Sequence, residues 1–206
     1  MTYIMKPLSF APDALAGLSE RLIVSHYENN YGGAVKRLNA ITEQLRSLDY
    51  ATAPVYVING LKREELIATN SMILHEVYFD GLGGQGGLPS ETLLDALVRD
   101  FGSVERWLAE FVAIGKALGG GSGWVLLTFS SRGGRLLNQW APDHAHTLAG
   151  GMPILALDMY EHSYHMDYGA KAAAYVDAFV QNIHWGKVAQ RFASIATPIV
   201  AALPTR

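Results

Sequence analysis

Four residues dispersed along the chain have side chains suited to holding a metal ion. His26 lies among Leu22, Ile23 and Tyr27, and His75 lies among Met72, Ile73, Leu74 and Val77. Asp158 and His162 follow the apolar run of "ILALDMYEHSYH" (154–165). Buried ionisable groups are costly unless a partner satisfies them, so these residues must either satisfy one another or share an ion. Taken singly, a histidine on an apolar helix face is more often a hydrogen-bonded core residue than a ligand. Two of them on separate helices, joined by an aspartate and a third histidine at a strand end, form a three-nitrogen, one-carboxylate set. That set suits Mn or Fe and leaves a coordination position for water; zinc is also compatible with it. Glu161 is open to two readings, a solvated surface acid or the acceptor of a ligating histidine's second ring N–H. "DHAH" (143–146) adds two loop histidines, of which at least one is expected to face solvent.

The elements that must position these residues follow from periodicity. Segments 12–30 and 34–48 are predicted as helices, the first with Pro12 near its start, and 62–82 as a third that ends at Gly81. "GLGGQGGLP" (81–89) is the one linker-like run, and it sets the expected division into a helical hairpin domain, 1–84, and an α/β domain, 88–206. No strand precedes these glycines, so they do not make a phosphate-binding loop. After them come two helices opened by Ser90 and Ser103, then strands at 123–131, 135–141 and 153–159. A single helical stretch, 172–196, closes the pattern. The predicted class is α+β, with a small three-stranded antiparallel sheet.

Composition narrows the function classes. Of 206 residues half are hydrophobic and 17% are charged, which describes a globular chain with a real core. A net charge of −3 without clustered Lys and Arg argues against nucleic acid as a partner. There is no cysteine, so disulfides and thiolate metal sites are excluded. The sequence shows neither a signal-peptide pattern nor an 18-residue apolar run, so no membrane partner is expected and the expected address is the cytoplasm.

The same residues carry a family resemblance over nearly the whole chain. "HYENNYGGAVKRLN", "MILHEVYF", "GSGWVLL", "LDMYEHSYHMDY" and "NIHWGKVAQRF" resemble, in order, the ligand helices, the glycine–tryptophan start of the sheet, the aspartate–x–x–x–histidine signature and the last helix of the iron/manganese superoxide dismutases. The resemblance implies one Mn or Fe ion per chain, held by His26, His75, Asp158 and His162 between the two domains. It implies Trp124 beside the ion, and a homodimer, with a tetramer as a larger form, in which Glu161 reaches His162 of the partner subunit. It also implies the reaction, dismutation of superoxide to dioxygen and hydrogen peroxide by redox cycling of the ion.

In that family a glutamine hydrogen-bonds the metal-bound solvent. Its iron-type position is Ser71 here, and its manganese-type position aligns with His144, which takes the role ahead of His146. Other departures cluster near the site. Ala34 stands for the family's pocket tyrosine, Asn30 for a histidine, His165 for an interface tyrosine, Phe79 and Tyr160 for tryptophans, and Leu74 for an asparagine; the Arg-Pro pair after the signature is missing. A wider pocket with fewer proton-conducting groups raises an alternative, other oxygen or organic redox chemistry with little dismutation. A non-catalytic metal-binding dimer is a third reading, against which the kept ligands weigh.

Overall fold

The computed structural model describes residues 2–202, with side chains described as far as residue 196. The chain enters through a 3₁₀ turn at Pro12–Ala14, and not through the long first helix expected there. Gly17, with φ of 75°, breaks the path, and helix α1 (Glu20–Ser25) begins only where the Ser19 hydroxyl accepts the Leu22 N–H. α1 runs through a π-helical turn, His26–Tyr31, directly into α2 (Gly32–Ser47), so the two predicted helices form one rod. α3 (Val55–Asp80) starts seven residues earlier than the periodicity suggests and packs along α2 as the second arm of a hairpin. Leu38, Ile41 and Leu45 of α2 and Ala68 and Met72 of α3 are among the buried apolar residues of this hairpin.

Beyond the glycine-rich run lie α4 (Glu91–Phe101) and α5 (Val104–Ala117). Ser103 caps α5 by accepting the Arg106 N–H; Ser90 precedes α4 without a side-chain cap. Three strands follow, β1 (Trp124–Ser130), β2 (Arg135–Ala141) and β3 (Gly151–Asp158). They form the expected three-stranded antiparallel sheet, in the order β2–β1–β3. β1 is central, and its "WVLLTF" is buried throughout, which explains the lack of apolar–polar alternation. The sheet packs against α3, α5 and α8, and Trp107, Phe111, Phe129 and Phe179 fill the space between the layers.

Among the described residues three further helices follow: α6 (His165–Tyr168), α7 (Ala172–Gln181) and α8 (Trp185–Ala202). The single helix expected over 172–196 is thus broken at 182–184. The break has a local cause: those residues bond to the glycine-rich run instead of continuing the helix. Leu82 bridges Ile183, the His184 N–H donates to the Gly81 carbonyl at 2.8 Å, and the Gly84 N–H donates to the Asn182 carbonyl at 3.1 Å. A Cβ at Gly84 would lie 2.2 Å from the Ile183 carbonyl oxygen, so only glycine permits this approach. Among the described residues, no helix is long and apolar enough to cross a membrane.

Candidate metal centre

The sheet brings the ends of its three strands together at one place. Trp124 opens β1, Asp158 closes β3 opposite it, and Ala141 closes β2 on its other side. The chain after Ala141 then carries His144 over the same place. The rod and α3 bring His26 and His75 to this point from the hairpin, and the 3₁₀ turn Glu161–Ser163 brings His162 back over Asp158.

Asp158 is fully buried and its two oxygens have different partners. Oδ1 accepts the Tyr160 N–H at 2.9 Å. Oδ2 faces Nε2 of His26 at 3.2 Å, of His162 at 3.1 Å and of His75 at 3.6 Å. One donor atom from each of the four residues lies within 4.8 Å of every other. His26 and His75 are each 1% exposed, and His162 is half-buried.

Burial, aided at His75 by the neighbouring His26, pushes the His75 imidazole down to about 3, and burial also lowers His26. Burial acting alone would raise Asp158, but His162 and His26 together hold it below the ordinary carboxylate range. The Nδ1–H of His75 donates to the Ser71 carbonyl at 2.7 Å, which fixes the tautomer and turns a lone pair at Nε2 toward Oδ2. That Nε2, like Nδ1 of His26, has no hydrogen-bond partner. A neutral imidazole lone pair and a carboxylate oxygen repel across 3.6 Å, and a cation between them is the species that satisfies both.

Aromatic rings wall the cluster. Phe79 lies 5.1 Å from His26, Trp124 lies edge-on 5.3 Å from His75, and Tyr160 stacks 5.4 Å from His162. His144 stacks on Tyr160 at 4.8 Å and accepts the Trp124 indole N–H at 3.0 Å. Asn30 and Ala34 line a cleft of about 250 Å³ that also touches Ser71 and His144. His146 is exposed and pairs with Asp143 at 2.7 Å. Glu161 and His165, both named from the sequence, are exposed, and within one chain neither is brought to the cluster.

Two residues of the site carry no signal in the apolar pattern. Tyr31 is buried, stacks 6.3 Å from His75, accepts the Lys6 N–H at 2.8 Å and donates to Glu76 at 3.1 Å. Tyr78 lies 4.9 Å from His26. Tyr78 follows His75 by three residues, a spacing that puts them on one helix face and was legible. Tyr31 is five residues from His26, a spacing that shares a face only in a π turn.

A buried cluster of three imidazoles and one carboxylate, held between a helical hairpin and a small antiparallel sheet, defines a mononuclear metalloprotein. Residues 89–191 match the family described as iron/manganese superoxide dismutases, C-terminal domain. The chain is 76% identical to the superoxide dismutase [Fe] of Cupriavidus metallidurans, over 94% of this chain and 98% of that one. It is 34% identical to superoxide dismutase [Mn] 1 of Halobacterium salinarum, over 94% and 96% of the two chains. Identity to the superoxide dismutase [Fe] of Aquifex pyrophilus is 35%, over 88% and 87%. The chain belongs to the iron/manganese superoxide dismutase family.

Proposed function

We infer that this protein dismutates superoxide, converting two superoxide anions and two protons to dioxygen and hydrogen peroxide with one Fe or Mn ion per chain. The observation that carries the reading is the convergence of three imidazole Nε2 atoms on Oδ2 of Asp158, with two buried histidine nitrogens left unpartnered. We propose His26, His75, Asp158 and His162 as the residues that hold the ion. The 76% identity to a protein named for this activity weighs against the alternative of a different redox reaction.

The ion supplies one-electron cycling between its trivalent and divalent states. The protein's residues do the rest. Asp158 would bring a negative charge to the bound ion and so favour its trivalent state. The Ser71 carbonyl, by accepting the His75 N–H, holds that ring in the ligating tautomer. Trp124, by donating to Nδ1 of His144, leaves the His144 proton on Nε2, where it can be offered to bound solvent or product. Phe79 and Trp124 keep bulk water off the rings.

We further propose a homodimer. Its support is two exposed residues beside His162, Glu161 on the same turn and His165 at the start of α6, which are free to meet a second copy. The division into units 1–84 and 88–206 is proposed with it, supported by a family match that begins at residue 89. A cytoplasmic address goes with this reading, and cell fractionation tests it. The decisive experiment is the superoxide dismutation rate per bound metal, with Mn and Fe measured on the same sample. A rate on the order of 10⁸ M⁻¹s⁻¹ is expected. Full metal with a rate orders of magnitude lower overturns the reading.

A further inference from the structure

A second cavity, a groove of about 290 Å³, runs beside α3, whose contribution to its wall is Asn70, Ile73, Leu74 and Val77. Three of these side chains are apolar, and the half-buried Asn70 is the polar exception. An amide taken out of water needs a partner. Asn70 finds it in the main chain of the loop after β2, where its side-chain N–H donates to the His144 carbonyl at 2.6 Å. Among the described residues this is the one hydrogen bond between α3 and that loop.

The other bonds that hold the loop come from the sheet side or from the loop itself. Gln139 of β2 donates to the His146 carbonyl at 2.9 Å, and Asp143 accepts the Ala145 N–H at 2.6 Å. The Trp124 indole and the Tyr160 ring orient the His144 imidazole, and both follow from the strands. His75 rides instead on α3, with Ser71, whose carbonyl accepts its ring N–H, one turn before it. One helix therefore carries a proposed ligand, the group that fixes that ligand's proton, and the amide that reaches across to His144. The His75 and His144 rings, 6.2 Å apart, come from two parts of the fold, and the Asn70 amide spans the joint beside them.

We propose that Asn70 is a positioning residue for the dismutation reaction: by holding the His144 carbonyl it sets where the His144 imidazole stands relative to the solvent position beside His75. The proposal rests on the reading above, in which His144 offers its Nε2 proton to bound solvent or product. Asn70 itself touches neither the ion nor the substrate. A hydrogen bond weakens steeply as donor and acceptor move out of line, and contacts of this kind tune the potential of a bound ion as well as its rate.

The test is a double-mutant cycle of the parent, Asn70→Leu, His144→Ala and the double variant, each loaded with metal and its metal content measured. Leucine keeps the bulk of the amide on an apolar wall and removes the donor. The midpoint potential of the bound ion and the dismutation rate per metal are both read. Asn70→Leu should lower the rate by roughly threefold or more, and should shift the potential in the direction that His144→Ala shifts it. In the His144→Ala background the same substitution should change neither quantity. Asn70→Ala, which adds no bulk, should reproduce this pattern if leucine disturbs folding. Equal effects of the Asn70 change in both backgrounds would mean a general packing role for α3 and overturn the proposal, as would a parent-like rate and potential in Asn70→Leu. If His144→Ala itself leaves both quantities at the parent's values, the role given to His144 fails and the proposal falls with it. If His144→Ala moves them and Asn70→Leu does not, the proposal alone fails.

Discussion

The indole N–H of Trp124 donates to Nδ1 of His144 at 3.0 Å, and the His144 ring lies 6.2 Å from that of His75. One hydrogen bond therefore decides which nitrogen of His144 carries its proton. Sheet geometry fixes the bond's donor, since Trp124 is fully buried at the start of β1 and paired across the sheet with both Ala141 and Asp158. Trp124→Phe keeps the ring's bulk and removes the donor, so His144 divides between tautomers. Dismutation per bound metal should fall by roughly tenfold in this variant. Stopped-flow rates on metal-quantified protein check it, and an unchanged rate would remove His144 from the proposed mechanism.

His162→Ala deletes one imidazole and leaves Oδ2 of Asp158 facing two neutral rings. Bound Fe plus Mn per chain should drop by roughly tenfold or more. Elemental analysis beside the parent, purified identically, is the measurement; full occupancy in the variant would contradict the ligand assignment.

Acid should weaken the metal-free fold. The unfolded chain protonates His26 and His75 near the ordinary value of 6.5, whereas the folded chain holds His75 neutral until about 3 and lowers His26 as well. Between those values the unfolded state binds more protons, so stability falls as pH falls from about 6.5 toward about 3. Asp158, whose folded pKa is also depressed, adds a loss of the same sign at the acid end. Urea midpoints of metal-stripped protein across this range should decrease steadily with acidification. A flat or rising midpoint would show that the rings are not held neutral.

Ala34 lines the cleft and is 7% exposed, on a wall shared with Ser71 and His144. A tyrosine there fills part of the open volume and brings a hydroxyl into the route from solvent. Ala34→Tyr should raise the dismutation rate per metal, and a rate equal to the parent's would count against a proton-delivery limit at this wall.

Gly84→Ala tests the joint between the glycine-rich run and the α7–α8 break. The added methyl would meet the Ile183 oxygen at 2.2 Å and the His184 Cα at 2.6 Å, both backbone atoms that cannot swing aside. A loss of about 1–3 kcal/mol in unfolding free energy is expected. Denaturant unfolding at neutral pH is the check.

The clustering of His26, His75, Asp158 and His162 was legible because each broke the apolar pattern around it. An aspartate ending a buried strand and histidines inside helix faces need partners there that water cannot supply. The three antiparallel strands were legible from their apolar runs, but their order, with β1 in the centre, was not. Nor were helix boundaries. Periodicity runs through Gly17 without noticing that its backbone is left-handed, and through Asn182–His184 without seeing the distant glycine segment that claims their hydrogen bonds. The cleft was legible in part: the resemblance named Asn30, Ala34, Ser71 and His144 near a wider pocket, whereas Arg37 on the same wall carried no such signal.

The π turn at His26–Tyr31 has a consequence for how this helix rod can change. A π turn carries one residue more than an α turn, so it sets the angular phase of everything after it relative to His26. Deleting one residue from 27–30 would restore α geometry and rotate α2 by about 100° about its axis. The stripe of Leu38, Ile41 and Leu45 would then swing off α3 while His26 stayed in place. The two halves of the rod are keyed like the teeth of a gear: substitutions are free to accumulate along it, but its length between the ligand and the hairpin seam is locked.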